Sequence, residues 1–269
     1  VEEYQRYQGS DAFTRDAAFW AEQRRALPPP VSLSSEPLPG RAATTDILRL
    51  NVALESAAFR RLSQAMANTT PADLALALVA LWLGRLCGRT DYAAGFIFMR
   101  RMGSAALTAT GPVLNVLPMG IHLDGTQTLP ELASDLARTL KTMRRHQRYD
   151  AEQIVRDAGR AAGSEPLFGP VLNVKLFDYQ LRLDGIQGIT HTLATGPVND
   201  LEIAIFPDEA GGLSLEVLAN RSRYDEATLN THVARLAQLL QQFADNPALR
   251  CGDAELLTAK EAEQLLSLI

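Results

Sequence analysis

Between Thr70 and Gly88 lies the segment that most restricts how the rest of the chain can be arranged. Thr70-Pro71-Ala72-Asp73 is a helix start, with a hydroxyl N-cap, proline at the first helical position and an acid at the third. The helix it opens, Pro71 to Cys87, is apolar almost all round. Such a helix has no face to offer water, so the sequence predicts it at the centre of the fold. Gly88 is a natural stop. The run Leu74 to Leu83 is too short for a bilayer, which takes about 20 apolar residues. No membrane partner is expected.

A central helix needs layers around it, and the flanking patterns supply them. Thr45 to Leu54 alternates, with Leu48, Leu50, Val52 and Leu54 on one face, and reads as a half-buried strand. Gly95 to Leu123, GFIFMRRMGSAALTATGPVLNVLPMGIHL, reads as strand, long loop, strand. The loop is rich in glycine, serine and threonine, and a loop of that length is often functional. Val171 to Tyr179 reads as a further buried strand. Leu201 to Phe206 and Leu213 to Leu218 alternate around a turn and predict a hairpin. Helices are expected over residues 1–27, over 57–66, from Thr128 to Arg145, after Asp150 (capped with Gln153), from Glu226 to Phe243, and at Thr258 with Glu261. PPPVSLSSEPLPG at 28–40 reads as an extended proline-rich linker, and 180–200 has no clear period. Strands and helices mix without a strict β-α-β rhythm. The fold class expected is α/β in the broad α+β sense, a mixed β-sheet packed with helices.

The chain is 46% hydrophobic and 21% charged, enough for a sizeable core. Its net charge of -5 argues against nucleic acid, since no basic excess exists to displace counterions. Two cysteines, Cys87 and Cys251, give neither a disulfide framework nor zinc spacing, which fits a reducing cytosol. The chain opens VEEYQRYQGSD, with no signal-peptide pattern, and reads as a piece of a longer polypeptide.

No motif makes an enzyme by itself: there is no G-x-S-x-G elbow, phosphate loop or dinucleotide fingerprint. The histidines are His122, His146, His191 and His232, none adjacent to another. His191, in the irregular 180–200 segment, is the best candidate for a polar contact in a site, and His232 reads as structural. Lys141, Arg144, Arg145 and Arg148 gather at a helix end. Cations there complement the helix dipole, which is the reading the sequence alone favours; the functional reading is a docking patch for an acidic partner or a phosphate.

Three segments then carry a resemblance. Arg145-His146-Gln147-Arg148-Tyr149-Asp150-Ala151-Glu152-Gln153-Ile154-Val155, Gly111-Pro112-Val113-Leu114-Asn115-Val116-Leu117-Pro118 and Arg223-Tyr224-Asp225 resemble, in order, segments of nonribosomal peptide synthetase condensation domains. Asp16-Ala17-Ala18-Phe19-Trp20 resembles the helix joining the two lobes of such a domain. The resemblance implies a chloramphenicol-acetyltransferase-like lobe, the second of two. It implies amide formation between substrates carried on phosphopantetheine arms of aryl and peptidyl carrier proteins, with no cofactor or metal bound directly. It divides the chain into an interlobe helix and linker (1–40), the lobe (41–250) and the start of a linker to a downstream adenylation domain (251–269). Expected partners are the N-terminal lobe, the carriers and that adenylation domain.

The family's HH-x-x-x-D-G catalytic run has no counterpart here, so no catalytic residue is assigned and the chain alone is expected to be inactive. The resemblance makes 100–112 a floor loop and 180–200 a latch. Arg100, Arg101, Ser104, His191, Asn199 and Asp200 become candidate tunnel or interlobe residues, and Lys141, Arg144, Arg145 and Arg148 candidate carrier-docking residues. Asn115, amid an apolar strand, lines the tunnel or makes a structural hydrogen bond. An epimerisation or free acyltransferase lobe, or a carrier-binding module, are the alternatives.

Overall fold

The computed structural model describes residues 2–38, 44–53, 56–66, 68–100, 107, 113–159, 166–175, 181–188, 195–207 and 212–267. In chain order the elements are α1 (Glu2–Gln8), α2 (Asp11–Ala26), β1 (Ile47–Ala53), α3 (Ser56–Ala65), α4 (Pro71–Leu86), β2 (Asp91–Met99), β3 (Leu114–His122), α5 (Leu129–Arg145) and α6 (Ala151–Asp157). There follow β4 (Val171–Val174), β5 (Leu181–Leu183), β6 (Ile186–Gly188), β7 (Leu201–Pro207), β8 (Leu213–Asn220), α7 (Glu226–Asp245) and α8 (Ala259–Leu266). Six strands form one sheet in the order β1-β8-β7-β4-β2-β3. The β2–β4 and β4–β7 pairs are parallel and the other three antiparallel, so the sheet is mixed, as expected.

Helix α4 is the centre. Every residue from Leu74 to Gly84 is buried. Thr70 Oγ1 accepts from the Asp73 amide at 3.1 Å, and Gly88 stops the run at φ 62°. α4 packs on α5 and α7 and also meets β4 and β7. Its polar leftovers are used as fasteners. Trp82 Nε1 donates to His232 O of α7 at 2.8 Å, and Tyr92 of β2 donates to Ala80 O at 2.6 Å. Full burial of each leucine contributes about 1.5–3 kcal/mol before conformational entropy is subtracted. Gly84 marks the tightest approach: a Cβ there would sit 2.3 Å from Leu123 Cδ1 and 2.9 Å from Arg89 O.

Several expectations are corrected. Residues 1–27 form two helices, because Ser10 breaks the run; its Oγ donates to Tyr7 O at 2.6 Å and accepts from Phe13 N to cap α2. β4 is four residues long, shorter than VLNVKLFDY suggested, and 176–180 lie outside the described residues. Asp150 does cap α6, through Glu152 N, but Gln153 turns away to Asp157. The 180–200 segment carries a hairpin, β5–β6, turned by Asp184 and Gly185 at φ 45° and 85°. Asp-Gly at the turn of a two-residue hairpin is a known signature, but three-residue strands are too short to show a period. The proline-rich stretch is not free-standing: Pro30 bridges Ala93 in β2, Ala93 N donates to Pro29 O at 3.0 Å, and Val31 is buried.

The C-terminal stretch also packs on the rest of the fold. Arg85 of α4 donates to the carbonyls of Cys251, Gly252 and Ala254, at 2.6, 2.9 and 2.9 Å. Arg235 of α7 lies 2.6 Å from Glu261 of α8. Burial pushes both thiols, Cys87 and Cys251, up to about 12, which leaves them unreactive at neutral pH.

Gly84→Ala is expected to cost about 1–3 kcal/mol in urea unfolding, by forcing apart α4 and the Leu123 side chain. Gly196→Ala, where nothing lies within 4 Å of the added methyl, is expected to stay within about 0.5 kcal/mol of the parent. Equal midpoints for the two variants would contradict this packing.

Candidate functional site

Two of the sequence motifs meet at the bend between α5 and α6. His146, the C-cap of α5, places Nδ1 2.7 Å from Asp16 Oδ1 on α2. Its ring stacks on Phe19 at 4.0 Å, and its carbonyl accepts from Trp20 Nε1 at 3.0 Å. Tyr7 donates to the other Asp16 oxygen at 2.5 Å. The segment Asp16-Ala17-Ala18-Phe19-Trp20 thus grips the bend from one side. Asn115 of β3 grips it from the other. Its Nδ2 donates to Gln147 O at 3.0 Å and Tyr149 O at 2.7 Å, while its Oδ1 accepts from Ala151 N at 3.1 Å. Both amide hydrogens and the oxygen of this buried side chain are therefore engaged with the bend. Of its two readings, the geometry favours the structural hydrogen bond.

Asp16 beside His146 is the orienting half of a base. Nucleophile activation would need a hydroxyl or thiol on the other ring nitrogen, and none hydrogen-bonds there among the described residues. Burial pushes the Tyr7 phenol up, with the Asp16 contact adding to the shift and the charges of Arg148 and Arg100 opposing it. Arg148 lies over the Tyr7 ring, 4.6 Å from its centroid, and 3.4 Å from Glu3. This arginine, placed by sequence in the docking group, also contacts α1 and stays exposed. Lys141, Arg144 and Arg145 are exposed on α5. A groove of about 410 Å³ runs between α2 and α5, lined by Phe19, Gln23, Arg138 and Thr142 among others.

A second buried cluster surrounds Asp200, just before β7. Oδ1 accepts from Ser32 Oγ at 2.8 Å, Tyr224 OH at 2.8 Å and Arg223 Nε at 3.1 Å. Oδ2 is buried with no hydrogen-bond partner among the described residues. Burial pushes the carboxyl up from its ordinary range, with the contacts from Ser32, Tyr224 and Arg223 opposing the shift. Arg223 also donates to Pro37 O at 2.7 Å and Glu36 O at 2.8 Å. The Arg-Tyr-Asp motif is thereby explained residue by residue. Arg223 and Tyr224 hold Asp200, and Asp225 caps α7 through Thr228 N at 2.8 Å. Sequence reasoning missed Ser32, which nothing in SLSSEP distinguishes from its neighbours.

The remaining predicted residues separate. Asn199 is exposed, its carbonyl accepting from Asn220 Nδ2 at 3.0 Å. Arg100 is half-buried at the end of β2, its amide donating to Val113 O at 2.9 Å. Arg101, Ser104 and His191 lie outside the described residues. Met99 and Leu114, paired in register where the long loop departs, are each about half exposed. His232 is enclosed on α7 with both ring nitrogens lacking a hydrogen bond among the described residues, and burial pushes its pKa down. Among the described residues no cluster of three or more His, Cys, Asp or Glu could hold a metal, and no helix is long and apolar enough to cross a membrane.

Comparison with known proteins gives one consistent result. The family model described as "Condensation domain" matches residues 1–266. The chain is 66% identical over 268 residues to enterobactin synthase component F of Escherichia coli (strain K12), an alignment covering 100% of this chain and 21% of that protein. It is 34% identical to vanchrobactin synthetase VabF of Vibrio anguillarum, covering 98% of this chain and 9% of that one. Among solved structures, the first condensation domain of the CDA synthetase superposes with a TM-score of 0.83 at 25% identity, covering 96% of this chain and 57% of that chain. The chain spans about a fifth of the enterobactin synthase and little over half of that solved chain.

Asn115→Asp is expected to cost about 3 kcal/mol at pH 7, because it aims a carboxylate at the carbonyls of Gln147 and Tyr149. Those carbonyls would raise the carboxyl pKa in the folded state, so the variant should regain stability as the pH falls from 7 toward 5. Parental stability at pH 7 would contradict the clamp.

Proposed function

The chain belongs to the condensation-domain family of nonribosomal peptide synthetases, and from that premise we propose that it is the C-terminal lobe of such a domain in siderophore assembly. In this reading it helps join a carrier-bound 2,3-dihydroxybenzoyl thioester to carrier-bound serine. The observation that carries the proposal is 66% identity, along its whole length, to enterobactin synthase component F. The seryl amine attacks the thioester carbonyl. A C–N bond forms, the C–S bond breaks, and the phosphopantetheine thiol leaves, the amine proton being lost on the way. The oxyanionic intermediate needs positioned donors, and holding two tethered substrates together removes much of the entropic cost.

This lobe supplies walls and position. Its sequence has no adjacent histidines to act as the family's base. The described polar groups of its motifs are bonded to one another: Asp16 with His146, Asn115 with the 147–151 bend, Arg223 and Tyr224 with Asp200. The active domain accordingly requires the N-terminal lobe, with the floor-loop and latch roles proposed for 100–112 and 180–200. Arg100, Arg101, Ser104, His191 and Asn199 remain the proposed tunnel or interlobe residues. The exposed Lys141, Arg144 and Arg145 face an acidic carrier protein, whose phosphopantetheine arm brings the substrate. A downstream adenylation domain activates serine, and the reaction takes place in the cytoplasm.

The purified chain, given both loaded carriers, is expected to form no amide, and the chain joined to its N-terminal lobe is expected to form it. Amide from the isolated chain would overturn the assignment. In the complete synthetase, Lys141→Glu with Arg144→Glu is expected to raise KM for the carrier about ten-fold at low salt and less at high salt. An unchanged KM at low salt would remove this face from docking.

A further inference from the structure

The connection between β4 and β7 joins a parallel pair. Val171 pairs with Glu202 and Val174 with Ile205, so β7 begins at the same end of the sheet as β4. The chain must therefore travel back along the sheet between Lys175 and Asp200. Parallel crossovers are usually made by a helix. Here the described part is instead the β5–β6 hairpin, whose strands pair only with each other. Its Ile186 is 72% exposed.

The far end is held on every side. Val198 and Thr44 exchange two backbone hydrogen bonds, at 3.2 and 3.0 Å. Asn220, fully buried at the end of β8, donates through its side chain to Asn199 O and through its backbone to Asp200 O, both at 3.0 Å. The Asp200 carboxylate then collects Ser32, Arg223 and Tyr224. Through Arg223 it also reaches the carbonyls of Glu36 and Pro37. Three stretches distant in sequence, 32–37, 198–200 and 220–224, meet on one carboxylate oxygen. The Asp200 side chain is wholly buried and that of Arg223 is 5% exposed. A buried ion pair is a poor source of net stability compared with apolar packing, and its best-attested use is to fix one arrangement among several. The oxygen Oδ2, buried without a hydrogen bond among the described residues, fits that view, since a group selected for stability alone would be satisfied.

We propose that Asp200, Ser32 and Arg223 form a positioning lock, which sets where the 181–199 connection stands and thereby the rate of amide formation. The rate claim rests on the function proposed above; the claim about the connection does not. Ser32 is the informative residue, because removing its hydroxyl loosens the 32–37 stretch without leaving a buried charge unpaired.

The test uses the complete synthetase and three variants. Ser32→Ala is expected to lower kcat about ten-fold with KM for the carriers unchanged, in line with the cost of small misplacements in tethered reactions. Its peptides within 181–199 are expected to exchange amide hydrogens at least about five-fold faster. Ser32→Thr, which keeps a hydroxyl, is expected to restore both. Tyr92→Phe, which removes the equally buried bond to Ala80 O in the core, is expected to lower the melting temperature and leave both readouts alone. Unchanged exchange in Ser32→Ala overturns the lock, as does equal acceleration in Tyr92→Phe. Faster exchange with parental kcat overturns its role in the rate. If the unmodified synthetase makes no amide, the proposed function has failed, and exchange alone still decides whether the lock holds the connection.

Discussion

Helix α4 buries every residue from Leu74 to Gly84, and the layers of the fold follow from that requirement. A helix without a polar face must be covered all round. The sheet covers it through β4 and β7, and α5 and α7 cover the remainder. Where α4 has polar groups to spend, they fix its neighbours: Trp82 fastens α7, and Arg85 fastens the 251–254 stretch. The sheet so positioned carries, between β2 and β3 and between β4 and β7, the two long connections on which the functional reading rests.

The polar motifs work at a second level. They tie remote stretches of chain to one another, and they do so in two places. At the α5–α6 bend, α1 and α2 are joined to β3 through Asp16, His146 and Asn115. At Asp200, the 32–37 stretch is joined to the start of β7 and the approach to α7. Loss of one partner from such a cluster leaves a buried group unsatisfied, which costs more than the intact bond contributes. The sequence motifs of this chain are intelligible as paired halves of these joints.

Much of the fold was legible because local signals agreed with tertiary need. Thr70-Pro71, Thr128 with Glu131, Asp225 and Thr258 with Glu261 all cap helices as written. The hairpin of β7 and β8 followed from alternation. What was hidden depends on partners far away in sequence. Ser32 has no local signature, and its role exists only because Asp200 lies 168 residues on. Asn115 stood out as a polar residue in an apolar strand, but its donors' targets, 32 and 34 residues later, could not be read from the strand itself. Arg148 looked like its basic neighbours on the sequence and differs from them only because Tyr7 and Glu3 lie beside it.

The central claim is that residues of separate motifs are energetically coupled to each other. Asp16 and His146, 130 positions apart, give its most direct test, a double-mutant cycle with Asp16→Asn and His146→Gln followed by urea unfolding. The account predicts a coupling of about 1 kcal/mol or more between the two positions. Additivity within about 0.3 kcal/mol would contradict it, leaving the two motifs to be explained by something other than their contact.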